Sequence, residues 1–286
     1  MVSSDGPEGT PRPGLTPTER AAIIEAESAR LGAVVADLDP ATPVPTCPDW
    51  TVRDLLHHVV QVHDFWAAVI GRRLDDAGVE RYQEERAALP QDVPALLDAR
   101  ERATADLLTA LAGRAPDEPA WSWFPADQSV GFTWRMQTHE VTLHRVDAEL
   151  AAGLAPSSGP GLAPEAAADG VDHVAEVMWA WAPPEVERRV TGRVDLVATD
   201  TGRRWRLETL RWSGEAWGQT FTEHPAARLA VDGASARPAD VTLLGPAAAL
   251  DLHVWTRDSG EAGALVSEGA AHVLAEFRAV LADGIA

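Results

Sequence analysis

Glu140 and His144 stand four residues apart in a segment, about Thr133 to Ala152, whose apolar residues recur at helical spacing. That separation is just over one turn, so both side chains share a face, about 6 Å apart along the axis, as a shared metal ion requires. A third residue of ligand type, His58, lies far earlier in the chain among Leu55, Leu56, Val59 and Val62, within another helical stripe. Two imidazoles and a carboxylate with one position open form the donor set of a catalytic zinc site. Such a centre acidifies a bound water or thiol and holds it beside an electrophile. Glu–His pairs at this spacing are also common on helix surfaces, and a buried, hydrogen-bonded His58 fits the same pattern.

The elements that must position these residues read as four helices. The first opens at Thr16-Pro17-Thr18-Glu19 and carries Ile23, Ile24, Leu31, Val34, Val35 and Leu38. Prolines 40, 43, 45 and 48 exclude a helix from Asp39 to Pro48, leaving an ordered loop. Thr51, with Asp54 three residues on, caps a second helix that ends between Gly71 and Gly78. Asp92–Ala112 is the third, and the fourth stops at Gly153 after a Trp- and Pro-rich loop over 116–131. Four such helices predict a four-helix bundle over 18–154, behind a flexible tail at 1–17 that is no signal peptide.

Ala-Pro-Ser-Ser-Gly-Pro-Gly-Leu-Ala-Pro over 155–164 reads as a linker held by few contacts. Beyond it, 165–286 predicts a helix to about 181, then strands at 193–199 and 204–210 around the Asp200-Thr201-Gly202 turn. Further strands fall near 211–221, 227–232 and 240–243, and helices at 245–256 and 268–283 close the chain. The expectation is a small α+β domain with an antiparallel sheet.

Over 286 residues the formal charge is −20, which repels nucleic-acid phosphates and anionic membrane surfaces and leaves small molecules as partners. All 24 basic residues are arginine; lysine and asparagine are absent. That removes Schiff-base, pyridoxal-phosphate and phosphate-loop chemistry. Loss of residues with AT-rich codons points to a high-GC, actinobacterial genome. Cys47 is the single cysteine, so no intrachain disulfide forms, in keeping with a cytoplasmic protein, monomeric or a small homo-oligomer.

The stretch from Leu38 through Cys47-Pro48-Asp49-Trp50-Thr51-Val52-Arg53-Asp54-Leu55-Leu56-His57-His58-Val59 resembles the opening of the mycothiol-dependent maleylpyruvate isomerase family. Thr138-His139-Glu140-Val141-Thr142-Leu143-His144-Arg145-Val146-Asp147-Ala148-Glu149 resembles that family's second signature. A looser likeness, resting on Leu252-His253-Val254-Trp255-Thr256-Arg257, extends the resemblance to about residues 18–283. It implies a DinB-like N-terminal bundle and a sterol-carrier-like second domain. It also implies metal ligands His58, Glu140 and His144, an active-site acid at Asp147 and an active-site arginine at Arg257. The implied cofactors are a divalent metal, zinc by its ligand set, and mycothiol. The implied reaction is isomerisation or S-transfer on a small electrophile. Two rivals remain: a ligand-binding protein with a structural metal, and a metal-dependent hydrolase.

The other candidates carry less. On helical geometry His57 and His63 point away from His58, toward solvent or a rim, and His139 points away from Glu140 and His144. Cys47 and the tryptophans Trp121, Trp123 and Trp134 read as packing residues, although the tryptophans could wall a pocket.

Overall fold

In the computed structural model, which describes residues 14–179, 186–230, 237–257 and 265–284, helix α1 (Pro17–Val35) begins with a reciprocal cap. The Thr16 hydroxyl accepts the Glu19 amide while the Glu19 carboxylate accepts the Thr16 amide. Helix α2 (Val52–Arg72) starts the same way with Thr51 and Asp54, and buries Leu55, Leu56, Val59, Trp66 and Val69. Thr51→Ala is expected to cost about 1 kcal/mol, read as a lower urea midpoint at unchanged slope.

The region between Gly71 and Gly78 holds more than a helix end. A short helix α3 (Asp76–Glu84) starts there on the Asp75 side chain, which accepts the Gly78 amide. Val79 is its single buried large apolar residue, too little for a periodic signal. Helices α4 (Val93–Ala112) and α5 (Val130–Ala151) follow, α5 starting three residues early because Ser129 caps the Phe132 amide. α1 packs on α5 and α4, and α2 on α4 and α5, which closes the four-helix bundle. The proline-rich loop is a small hairpin, β1 (Pro43–Val44) antiparallel to β2 (Cys47–Thr51).

After α5 the chain forms α6 (Pro164–His173), which runs through a π turn to Trp179; the remainder of the expected helix lies outside the described residues. The sheet comprises β3 (Glu187–Ala198), β4 (Arg204–Ala216), β5 (Gln219–Leu229), β6 (Val241–Gly245) and β7 (Val266–Gly269), in the order β5-β4-β3-β6-β7. It is not purely antiparallel: β6 runs parallel to β3. The β3–β4–β5 meander occupies one side of β3, and β6 returns along the free edge in the same direction as β3. The expected strand at 211–221 is the end of β4, a turn with Trp217 and Gly218 at positive φ (49° and 74°), and the start of β5. Residues 231 and 232 of the next expected strand lie outside the described residues. Helices α7 (Ala247–Val254) and α8 (Ala271–Asp283) and α6 cover the sheet, burying Val171, Leu250 and Phe277 against Val194, Leu196, Leu207 and Leu243. Among the described residues no helix is long and apolar enough to cross a membrane.

The halves share their cores. Leu143 of α5 is buried among the sheet-domain residues, and Val177 among those of the bundle. Segment 155–164 is more firmly fastened than its composition predicts. The wholly buried Arg145 donates to Glu27, Glu149 and the Ser157 carbonyl at 2.6, 2.7 and 2.9 Å, and the Gly161 amide donates to Glu27 at 2.7 Å. A Cβ on Gly159 would lie 2.4 Å from a Glu27 oxygen, so close approach there requires glycine.

Candidate metal centre and its cavity

α2 and α5 bring His58, Glu140 and His144 together. His58 Nε2 lies 2.9 Å from Glu140 Oε1, His144 Nε2 lies 3.3 Å from the same oxygen, and one ligand atom of each residue falls within 4.8 Å of the others. The donor atoms converge, as one divalent ion requires, and two imidazoles with a carboxylate match zinc's preferred ligands. A buried carboxylate behind His144 sets its orientation: Nδ1 lies 2.8 Å from Asp147 Oδ2, which leaves Nε2 facing the shared point.

Asp147 is a hub between the halves. Arg257, from the end of α7, donates Nε to Oδ1 at 3.1 Å and Nη2 to Oδ2 at 3.3 Å, and its Nη1 donates to the Trp255 carbonyl at 2.8 Å. The Thr46 hydroxyl also donates to Asp147 Oδ1, and the Cys47 thiol lies 3.9 Å from Oδ2. The hairpin thus supplies partners to the hub as well as Trp50, whose ring centroid is 4.7 Å from His58 and 5.8 Å from His144.

Charge follows geometry. Burial opposes ionisation of Glu140, yet its hydrogen bonds to His144 and His58 and their charges hold its pKa well below the ordinary value. Burial likewise opposes a charged His144, but hydrogen bonds to Asp147 and Glu140 and the two carboxylate charges raise its pKa to about 9. Asp147, despite burial, is lowered to about 2 by His144 and Arg257. Burial, then the Asp147 charge, pushes the Cys47 thiol up to about 11, so it stays protonated and is no nucleophile at neutral pH.

His58, Glu140, His144, Asp147 and Arg257 therefore occupy one place. His58, Glu140, His144 and Arg257 border a cavity of about 640 Å³ also lined by Thr46, Cys47, Trp50, Trp123, Met136, Leu143, Met178 and Trp255, with Asp147 buried behind it. Trp123 walls it, whereas Trp134 is core and Trp121 packs on Phe65 and Trp66. His139 does point away from the trio, toward Asp169 at 2.9 Å. His57 bonds the Pro90 carbonyl. His63 is not a rim residue; it is buried, with Nδ1 3.0 Å from the Thr104 hydroxyl. The angular argument placed it away from His58, and the core between α2 and α4 fills that direction. Thr46 and Trp50 were missed, and their one sequence signal is adjacency to the Thr51 cap.

His63 and His144 together shape stability. Burial lowers the His63 pKa from 6.5 to about 4, so between those values the unfolded chain binds a proton the folded one does not. Stability then falls as pH drops from 6.5 to 4, by on the order of 3 kcal/mol. The raised His144 contributes stability that is complete below 6.5 and lost as pH climbs through about 9. In protein stripped of metal by a chelator, His63→Ala should reduce the acidic loss of stability, read by urea unfolding across pH, against a background to which the buried His139, His173 and Asp251 also contribute. An acidic limb unchanged in that variant would contradict the buried, neutral His63.

A helical bundle closed against an α+β domain, with a convergent His–Glu–His cluster that could hold a metal where they meet, is the class of protein that fold and geometry define. Residues 21–149 match the family model for the mycothiol maleylpyruvate isomerase N-terminal domain. Two solved structures share the fold across both halves. The crystal structure of the mycothiol-dependent maleylpyruvate isomerase aligns with TM-score 0.52 and 15% identity, over 89% of this chain and 93% of that one. A histidine-to-alanine mutant of that enzyme aligns with TM-score 0.53 and 14% identity over the same shares. No curated protein matches the chain.

Proposed function

We propose that the protein is a metal-dependent enzyme that uses mycothiol to isomerise, or to transfer sulfur to, a small electrophile. The convergence of His58, Glu140 and His144 on one point of a walled cavity carries this reading. These three residues would hold the metal, with zinc favoured by the donor set. When bound, a divalent ion acidifies a thiol whose free pKa is about 8.5, so that it binds as the thiolate. The chain's own residues do the rest. Glu140 and the imidazoles set the charge of the centre, and Asp147 fixes the His144 ring through Nδ1. With both oxygens engaged and its pKa near 2, Asp147 is better placed to orient His144 and Arg257 than to take a proton. The apolar wall limits water around the thiolate, which disfavours hydrolysis.

The test is mass spectrometry of an actinobacterial extract incubated with metal-loaded protein and mycothiol. The expected result is new mycothiol S-conjugates, or thiol-dependent isomer interconversion, absent without protein. Thiol-independent hydrolysis of extract components, or no change at all, would count against the reading.

A further inference from the structure

We infer that Trp50 is a positioning residue for the metal centre, its indole holding the His58 ring in a ligating orientation as Asp147 holds that of His144; this deepens the reading above and rests on its metal site. An imidazole that binds a metal through one nitrogen carries its proton on the other. That N–H is normally fixed by a carboxylate or a carbonyl, which stops the ring turning. The two histidines differ in this respect. His144 has such a partner, with Nδ1 2.8 Å from Asp147 Oδ2. Among the described residues His58 has a single hydrogen bond, between Nε2 and Glu140, and none through Nδ1. Its side chain is also 30% exposed, so burial alone leaves the ring room to turn.

Ring packing supplies what hydrogen bonding does not. The Trp50 and His58 centroids are 4.7 Å apart, within the range at which aromatic pairs attract, with planes tilted by 45°. Trp50 lies 5.8 Å from His144, and the two imidazoles lie 4.7 Å apart at 75°, so the three rings form a closed triangle. Turning the His58 ring disturbs two sides of it. An imidazole bound to a divalent ion also loses electron density to the metal, and an electron-rich indole beside it favours that more positive ring. Trp50 therefore stabilises the loaded centre more than the empty one, which a residue that merely fills space does not do.

Trp50 is itself fixed in place. It stands on β2, one residue before Thr51, whose amide and hydroxyl are tied to Asp54 at the start of the helix that carries His58. At the turn of the hairpin the Thr46 hydroxyl donates to Asp147. One carboxylate thus orients His144 directly and, through the hairpin, the ring that steadies His58.

The experiment compares Trp50→Phe, which keeps an aromatic ring, with Trp50→Leu, which keeps an apolar side chain without one. Trp50→Met, equally ringless and more adaptable, is measured beside Trp50→Leu so that a folding failure of one leaves the comparison intact. Cobalt(II) is the probe metal, its affinity read by competition with a chelator and its ligand geometry by its visible absorption band. Unfolding midpoints of the metal-free variants separate lost stability from lost metal. The ringless variants should bind cobalt about 10–100-fold more weakly than wild type, release it faster and show a changed band, while Trp50→Phe stays within about threefold. Wild-type affinity and an unchanged band in the ringless variants would overturn the inference and leave Trp50 a wall of the cavity. An equal loss in Trp50→Phe would overturn it too, since volume and not the ring would then matter. Weakened cobalt binding in the ringless variants, with no thiol-dependent turnover by the wild type, would uphold the inference and reject the mycothiol chemistry. A wild type that binds no cobalt would overturn both.

Discussion

His58→Ala and His144→Ala are each expected to weaken metal binding about a thousandfold, roughly 4 kcal/mol, from a wild-type content of about one ion per chain. The donor set has three protein members, so losing either imidazole leaves two, too few to hold zinc against water and buffer. Neither substitution should unfold the bundle. His58 is 30% exposed at its side chain, and the structure gives it one hydrogen bond, to Glu140. His144 is more buried, but its ring packs at the cavity edge against His58 and Trp50 rather than deep in the core. The contrast is His63→Ala, which removes a fully buried imidazole bonded to Thr104; it should lower the unfolding midpoint and leave metal content unchanged. Elemental analysis with a denaturation curve for each variant separates the two behaviours. Full metal content in both His58→Ala and His144→Ala would place the site elsewhere and make the trio an ordinary buried hydrogen-bonded cluster.

The convergence of His58, Glu140 and His144 was legible because its geometry is helical: Glu140 and His144 are fixed by one turn of α5, and His58 falls within the apolar stripe of α2. Capping chemistry placed the start of α2 to the residue, since Thr51 and Asp54 are local partners. What depends on distant partners could not be read. Trp50 reaches both histidines from a two-stranded hairpin whose prolines argue only against a helix. The parallel β3–β6 pairing depends on which edge of β3 the meander leaves free, a fact of topology and not of alternation. The hold on segment 155–164 comes from Arg145, which in sequence is one more charged residue on a helix and in the fold is wholly buried between Glu27 and Glu149. Resemblance to a family located Asp147 and Arg257, but only the structure shows that they bond to each other.

That bond sharpens the expected behaviour of Asp147→Ala. Turnover should fall roughly a hundredfold or more, the scale on which a mispositioned or missing proton-handling group acts. The ion should stay bound, because Asp147 sits behind His144 Nδ1 and not among the three convergent donors, although loss of such support typically weakens affinity about 10–100-fold. Stability should fall as well, by about 3–5 kcal/mol, since Arg257 would be left largely buried without its carboxylate. Arg257→Ala alone should produce a comparable stability loss by stranding Asp147, and the double variant should lose less than the two singles summed, the signature of one shared interaction. The pH profile distinguishes the two catalytic roles open to this carboxylate. An orienting Asp147 predicts that the variant loses rate evenly across pH, because the proton chemistry resides elsewhere. A proton-accepting Asp147 predicts loss of a limb of the profile. Asp147→Asn adds a further check, since its amide keeps the shape but cannot favour the same His144 tautomer, and it should be nearly as slow as alanine. Metal loss equal to that of His144→Ala would make Asp147 indispensable to the ligand set, and unchanged turnover would reduce the Asp147–Arg257 pair to a clasp between the two halves of the chain.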